Sequence, residues 1–178
     1  MTRTLYRTLL GGQFEMLPDK IKEMHSGASL AKGRADITRG TAPLAQLICA
    51  LSHVPKSGRD VLVETSFVPI DGGESWTRRF DGEAFQTDML IDRDAPRPRL
   101  SEKFGPFLFR LRMIAHKDGI DLMPESVSLW GLPLPKFLCP EAIGLERVKG
   151  GRYHFDVSVR FPLAGDVLNY QGWIEPAA

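Results

Sequence analysis

The sequence predicts an α+β fold in which short N-terminal helices precede a large, curved antiparallel β-meander with a half-barrel or barrel-like shape. In the first third of the chain, apolar residues recur at helical intervals, whereas from Arg59 onward they alternate with polar residues. Glycine-containing turn sequences separate the alternating segments, and no helix long enough for a parallel crossover lies between them.

The chain length and composition are those of one ordinary globular unit. With 178 residues we expect a single domain, helical over about 1–58 and a β-meander over about 59–176. Hydrophobic residues make up 43% and charged residues 25%. The formal net charge of +1 does not indicate nucleic-acid binding, which usually requires a basic patch.

The N-terminal third predicts three helices and one strand. The segment TLYRTLLGGQFEMLPDKIKEMH has helical spacing, but Gly11-Gly12 and Pro18 divide it into two short helices, with Pro18 in the first turn of the second. APLAQLICALSHV predicts a third helix with one apolar face. Between them, LAKGRADITRG alternates as a strand does.

Beyond Arg59, alternating segments predict an antiparallel sheet of about seven to nine strands that curls on itself. The clearest strands are VLVETSFVP, ESWTRRF, EAFQTDMLI, FLFRLRMIA, IDLMPESVSLW and RYHFDVSVRFP. The proline-rich segment DRDAPRPRLSE is expected to be an exposed loop.

The segment WGLPLPKFLCP, Trp130 to Pro140, is too apolar for an ordinary loop, and its three prolines are incompatible with a central strand. Its large apolar side chains favour burial, so the first interpretation is a plug that packs into the core. A lid over a hydrophobic pocket, with Trp130, Leu134 and Phe137 as its wall, is an alternative. A surface that docks a partner is another.

The cysteines and histidines do not predict a metal site or a nucleophile. Cys49 and Cys139, with four scattered histidines, lack metal-ligand spacing, so no metal and no cofactor are expected. No histidine is near Cys139 in sequence, and a buried cysteine behaves as a small hydrophobe. Both cysteines are therefore interpreted as packing residues.

The strand RYHFDVSVRF divides its residues between two faces. His154 and Asp156 lie on the polar face, close enough for the aspartate to orient the histidine. They are the candidate catalytic pair, although a solvated sheet face is the first interpretation of these residues and a polar-lined cavity the alternative. Arg110 and Arg112, with Arg78 and Arg160 on other strands, could bind a carboxylate or phosphate, but cross-strand ion pairs also account for them.

Several motifs together resemble one bacterial family, catalogued as domain of unknown function 4166. They are YRTLLGGQFEMLP, GRADITRG, WTRRFDGEAF, EKFGPF, LWGLPLPKFLCP, RYHFDVSVRFPLAG and YQGWIEP, and they extend from Tyr6 to Pro176. This family occurs alone or fused behind saccharopine-dehydrogenase-like domains, which implies an oxidoreductase partner but no catalytic residue. Because the chain has no G-x-G-x-x-G motif, such a cofactor domain would be a separate polypeptide.

These observations lead to one functional hypothesis and two alternatives. The first is a non-catalytic, cytoplasmic domain, without a signal peptide or membrane span, that binds a small hydrophobic or amphipathic ligand. Its ligand-binding candidates are Trp130, Leu134, Phe137, Arg110 and His154. The alternatives are an enzyme that uses His154 as its acid/base on such a ligand, and an interaction module that docks an oxidoreductase subunit.

Overall fold

The computed structural model describes residues 4–27, 29–93 and 98–177. Ten of its eleven strands form one closed antiparallel barrel, and the short β8 pairs only with β7. The strands are β1 (Leu30–Arg39), β2 (Gly58–Ile70), β3 (Gly73–Phe80), β4 (Glu83–Asp92), β5 (Arg99–Phe104), β6 (Phe107–His116), β7 (Gly119–Leu129), β8 (Leu132–Pro133), β9 (Glu141–Lys149), β10 (Arg152–Phe161) and β11 (Gly165–Pro176).

The barrel closes through two long-range strand pairs. β1 pairs with β11 along nearly its whole length, from Ala31 opposite Pro176 to Arg39 opposite Leu168. The second pair is much shorter, because β7 meets β9 only over Gly119–Leu122. Beyond Leu122, β7 pairs with β8 instead. The wall between β7 and β9 is therefore its least hydrogen-bonded part.

The predicted helices cover the two ends of the barrel. They are α1 (Leu5–Leu10), α2 (Asp19–His25) and α3 (Pro43–Leu51), with short 3₁₀ turns at Gly11–Met16 and Lys136–Leu138. The break between α1 and α2 is confirmed: Gly11 ends α1 with a φ of 53°, and Pro18 directly precedes α2. Contacts place α1 and α2 beside β4, β6, β9, β10 and β11, whereas α3 packs on β1 and the start of β11.

The barrel interior is built from one face of every long strand, as the period of two requires. In β10 the buried Tyr153 and Phe161 point inward, whereas His154 and Asp156 lie on the outer face. Large side chains from α1 and α2, among them Phe14 and Ile21, complete the core at one end. No helix in the described part of the chain is long and apolar enough to cross a membrane.

Two sequence predictions need correction. The loop predicted over DRDAPRPRLSE is wrong at its second half, because Arg99–Phe104 form β5, while residues 94–97 lie outside the described part of the chain. The plug interpretation of Trp130–Pro140 is also wrong. Trp130, Leu132 and Phe137 are 73%, 73% and 74% exposed, since the prolines and the short β8 hold this segment on the outside of the barrel.

Candidate ligand-binding site

The barrel interior contains a cavity of about 90 Å³ with a mostly apolar wall. That is several times the roughly 10–15 Å³ needed for one water molecule, and less than the ~300–1,000 Å³ of a pocket for a drug-sized ligand. The apolar lining comes from strands around the barrel and includes Phe67, Phe85, Phe104, Leu122, Val157 and Leu168. A small molecule, or one end of a longer one, matches this space.

Arg78 is the cationic side chain of this cavity. It lies on the inward face of β3 between Trp76 and Phe80, and it is only 9% exposed. Its Nη1 donates a hydrogen bond of 3.0 Å to Oγ1 of Thr87. The guanidinium carbon lies 5.1 Å from the Trp76 ring centre and 5.9 Å from that of Phe85. These cation–π contacts hold the guanidinium against the wall.

Two further polar groups face Arg78 in the cavity. Glu102 comes from β5, and burial raises the pKa of its carboxyl although Arg78 and Thr87 act in the opposite direction. Tyr170 comes from β11 across the barrel, and its hydroxyl is a neutral donor at pH 7, as an ordinary tyrosine is; burial raises its pKa further. The cavity thus combines a guanidinium, a carboxyl and a phenol within an apolar enclosure.

A second polar cluster lies at the end of the cavity that α1 and α2 cover. Glu146 of β9 lines the cavity and is 4% exposed. The Tyr6 hydroxyl donates to its Oε1 at 2.8 Å, and Nε2 of His25 lies 2.8 Å from its Oε2. Burial, and after it the charge of Glu146, raises the pKa of both Tyr6 and Tyr153 well above the ordinary value. Both carboxylate oxygens of Glu146 are therefore satisfied by donors.

Aromatic stacking joins the same cluster to the barrel wall. The rings of Tyr6 and His25 are parallel, with centres 3.6 Å apart, and Trp76 continues the stack 5.9 Å from Tyr6. Tyr153 approaches His25 edge-on at 5.9 Å. The helices are thus bound to the barrel by hydrogen bonds and ring contacts together.

The candidate pair His154 and Asp156 lies on the outer face of the barrel. Both residues line an open, polar groove of about 310 Å³. Asp156 accepts a hydrogen bond of 3.1 Å from Nδ2 of Asn169. Asp156 and His154 do not form a hydrogen bond with each other. Burial and the neighbouring Lys149 lower the pKa of His154. The structure therefore does not bring these two residues together as an acid/base pair.

Arg110 also lies outside the cavity. Its Nε donates to Oδ2 of Asp92 at 3.0 Å, and its Nη1 lies 3.4 Å from Oγ of Ser128. Arg112 and Arg160 have carboxylate neighbours as well, at 4.0 Å and 3.8 Å. Three of the four arginines considered in the sequence thus form ion pairs, and Arg78 differs from them.

The segment Trp130–Pro140 runs beside the incompletely paired part of β7. The backbone N–H of Leu134 donates to the Val127 carbonyl at 2.9 Å, and Leu134 packs against the core. Trp130 and Phe137 point away from the barrel. The residues that line the cavity include none of the five candidates Trp130, Leu134, Phe137, Arg110 and His154, so their part in ligand binding remains a prediction.

Neither cysteine shows the surroundings of a nucleophile. Cys49 is buried in α3, its Sγ donates to the Val167 carbonyl at 3.3 Å, and burial raises its pKa. Cys139 is half-buried, with its Sγ 3.5 Å from the Leu134 carbonyl. Within residues 4–27, 29–93 and 98–177, no cluster of three or more His, Cys, Asp or Glu side chains could hold a metal ion.

The sequence contained a signal for Arg78 but not for the cluster around Glu146. Alternation places Arg78 on the face of Trp76 and Phe80, so a charged residue at an inward position was detectable. Tyr6 and His25 precede Glu146 by 140 and 121 residues, and no sequence spacing connects them.

Comparison with known proteins gives one match. A family model described as "Domain of unknown function (DUF4166)" matches residues 17–174. No curated protein and no solved structure matches the chain.

Proposed function

We propose that this chain, which belongs to the family of unknown function DUF4166, binds a small amphipathic molecule inside its barrel. The supporting observation is that the buried Arg78 and the carboxyl of Glu102 face a cavity whose remaining wall is largely apolar. Binding sites for small molecules typically have this composition, with an apolar wall and a few convergent polar groups.

The same features are costly for a barrel that has only a structural role. An empty cavity loses packing energy, by about 24 cal/mol for each Å³ in core-truncation series. A buried charge costs several kcal/mol more unless it is paired. Ligand binding offers a reason to retain both the space and Arg78.

Entry through the wall between β7 and β9 is part of this proposal. The two strands pair only as far as Leu122 opposite Gly144, and the cavity is lined there by Leu122, Ala142 and Gly144. The segment Trp130–Pro140 is the neighbouring chain, so its movement would widen the route. It would then act as the lid considered among the sequence interpretations, without lining the closed cavity.

Native mass spectrometry of freshly purified protein, followed by organic extraction, tests the proposal. We expect a bound small molecule in the wild-type protein and in a Ser158→Phe variant, whose new ring lies on the outer face. The neighbouring Val157 lines the cavity, so Val157→Phe should abolish the bound mass. Equal occupancy in both variants would show that the molecule binds elsewhere and would contradict the proposal.

A second candidate function is docking of another protein through Trp130–Pro140. The exposure of Trp130, Leu132 and Phe137 favours it, since contiguous exposed apolar side chains often mark interaction surfaces. The partner implied by the family resemblance is a saccharopine-dehydrogenase-like oxidoreductase. Size-exclusion chromatography of the two purified proteins tests this: co-elution that a Trp130→Ser, Phe137→Ser double variant abolishes supports docking, and separate elution of the wild type contradicts it.

A further inference from the structure

The charges inside the cavity indicate the chemical class of the ligand. Buried arginines normally have an ionic partner, because an unpaired buried charge is strongly unfavourable. Among the residues that the structure describes, no carboxylate oxygen lies within 4.0 Å of the Arg78 guanidinium. Arg78 is nonetheless nine-tenths buried. A positive charge in this position is therefore available to a bound anion.

Most of the hydrogen-bonding capacity of Arg78 is also free. A guanidinium carries five N–H donors, and the structure records one hydrogen bond to a described residue, from Nη1 to Thr87. Contacts with the rings of Trp76 and Phe85 fix the plane of the group without using its donors. The remaining donors belong to a side chain that lines the cavity.

The acidic groups of the cavity do not remove this preference for an anion. The carboxylate of Glu146 is hydrogen-bonded to Tyr6 and contacts His25 at the helical end of the barrel, so its two oxygens already have partners. Glu102 faces Arg78, but no oxygen of its carboxyl lies within 4.0 Å of the guanidinium, so it leaves the donors of Arg78 unoccupied. Tyr170 adds a neutral hydroxyl donor near the guanidinium.

We propose that the ligand is a small monocarboxylate with a short apolar body, and that its carboxylate binds to Arg78. The planar guanidinium matches a carboxylate through two parallel hydrogen bonds. A phosphate monoester would bring about two negative charges to a single cation, which is less favourable. This inference rests on the proposed function, since it specifies the ligand of the same cavity.

Isothermal titration calorimetry with three probes of one carbon skeleton provides the test: isovalerate, isopentanol and isopentylamine. We expect isovalerate to bind about tenfold or more tightly than isopentanol, and isopentylamine to bind most weakly. In Arg78→Met, which keeps the apolar stem, the affinity for isovalerate should fall about ten- to hundredfold. Isopentanol binding to that variant should persist, which shows that the variant is folded.

A second variant keeps the inference testable if Arg78→Met does not fold. Glu102→Gln retains the shape of the side chain and, among the described residues, removes the negative charge that faces Arg78 from β5 and competes with a bound carboxylate. It should bind isovalerate more tightly than the wild-type protein does.

Four results would overturn the inference. Equal affinities of the wild type for isovalerate and isopentanol, or the tightest binding for isopentylamine, would exclude a carboxylate ligand while leaving the cavity as a binding site. Weaker isovalerate binding to Glu102→Gln would show that the carboxyl itself binds the probe. If none of the three probes binds, the proposed function fails as well.

Discussion

The hydroxyl of Tyr6 donates a hydrogen bond of 2.8 Å to Oε1 of Glu146, which joins the first helix to a strand 140 residues later in the chain. His25 occupies the other carboxylate oxygen, and both rings stack on each other. One buried carboxylate thus organises the helical end of the barrel, directly above the cavity that Glu146 helps to line.

Replacing Tyr6 by Phe should therefore destabilise the protein substantially. The variant leaves one buried oxygen of Glu146 without its donor, so the free energy of unfolding should fall by about 1.5–3 kcal/mol. Urea denaturation measures this free energy of unfolding. The matched control is Tyr170→Phe, because the Tyr170 hydroxyl makes no hydrogen bond to another described residue. Equal losses in the two variants would contradict a role for the Tyr6–Glu146 bond.

Alkaline pH should destabilise the fold through the buried tyrosines. The pKa of Tyr153 in the folded protein lies well above the ordinary value of 10.0, because burial, and next Glu146, disfavours the phenolate. Ionisation then occurs first in the unfolded chain, so the stability is complete below about pH 10 and falls as the pH rises further. Tyr153→Phe should reduce this slope by up to ~1.4 kcal/mol per pH unit. An unchanged slope in urea denaturation would refute the assignment.

Acidic pH should weaken the short seam between β7 and β9. Asp121 accepts hydrogen bonds from Arg147 and His116; burial raises its pKa, but these bonds outweigh burial and lower it below 3.8. The Asp121 carboxylate therefore stabilises the fold at pH values above the pKa that it has in the unfolded chain. This stabilisation is lost as the pH falls through the lower pKa that it has in the folded protein. Asp121→Asn should therefore lower the free energy of unfolding by about 1 kcal/mol at pH 7.

The control for this prediction is Asp118→Asn. Asp118 lies beside the same Arg147, 3.6 Å from its Nε, but is largely exposed, so its removal should change the stability at neutral pH by less than about 0.5 kcal/mol. Thermal unfolding at neutral pH and below about pH 4 measures both variants. A loss for Asp121→Asn that stayed constant with pH would rule out the ionic contribution.

The two sides of the Trp130–Pro140 segment should differ in their contributions to stability. Phe137→Ser should change the free energy of unfolding by less than about 0.5 kcal/mol, since the ring is already exposed. Leu134→Ala should lower the free energy of unfolding by at least about 1 kcal/mol, because Leu134 packs against the core. For a fully buried leucine the same substitution lowers it by ~2–5 kcal/mol. A large loss for Phe137→Ser in urea denaturation would mean that the ring is buried in solution.

The sequence predicted most of the secondary structure because alternation is strong wherever inward positions are large and apolar. The alternation is not visible in β9, because its inward residues are small or charged while its outer face carries an apolar residue. The inward residues are Ala142, Gly144, Glu146 and Val148, and Ile143 on the outer face is 39% exposed. β5 was missed because its first residues were assigned to the proline-rich loop before it. In both strands a carboxylate of the cavity, Glu146 or Glu102, occupies an inward position.

Closure of the barrel and the assembly of its interior could not be predicted locally. The β1–β11 and β7–β9 pairs join distant segments, and only their registers determine which side chains meet. The candidate residue His154 was chosen for its chemistry, but the period of two places it outside. Arg78 was considered only as one of four arginines, because its missing ion pair is a property of the folded barrel.

The most direct test of ligand binding inside the barrel is a methyl NMR titration of the wild-type protein with isopentanol. We predict saturable shifts at the cavity-lining methyl groups of Leu111, Leu122 and Leu168, with no change at the exposed Leu132 and Leu163. Shifts confined to the exposed leucines, or none at all, would contradict the account.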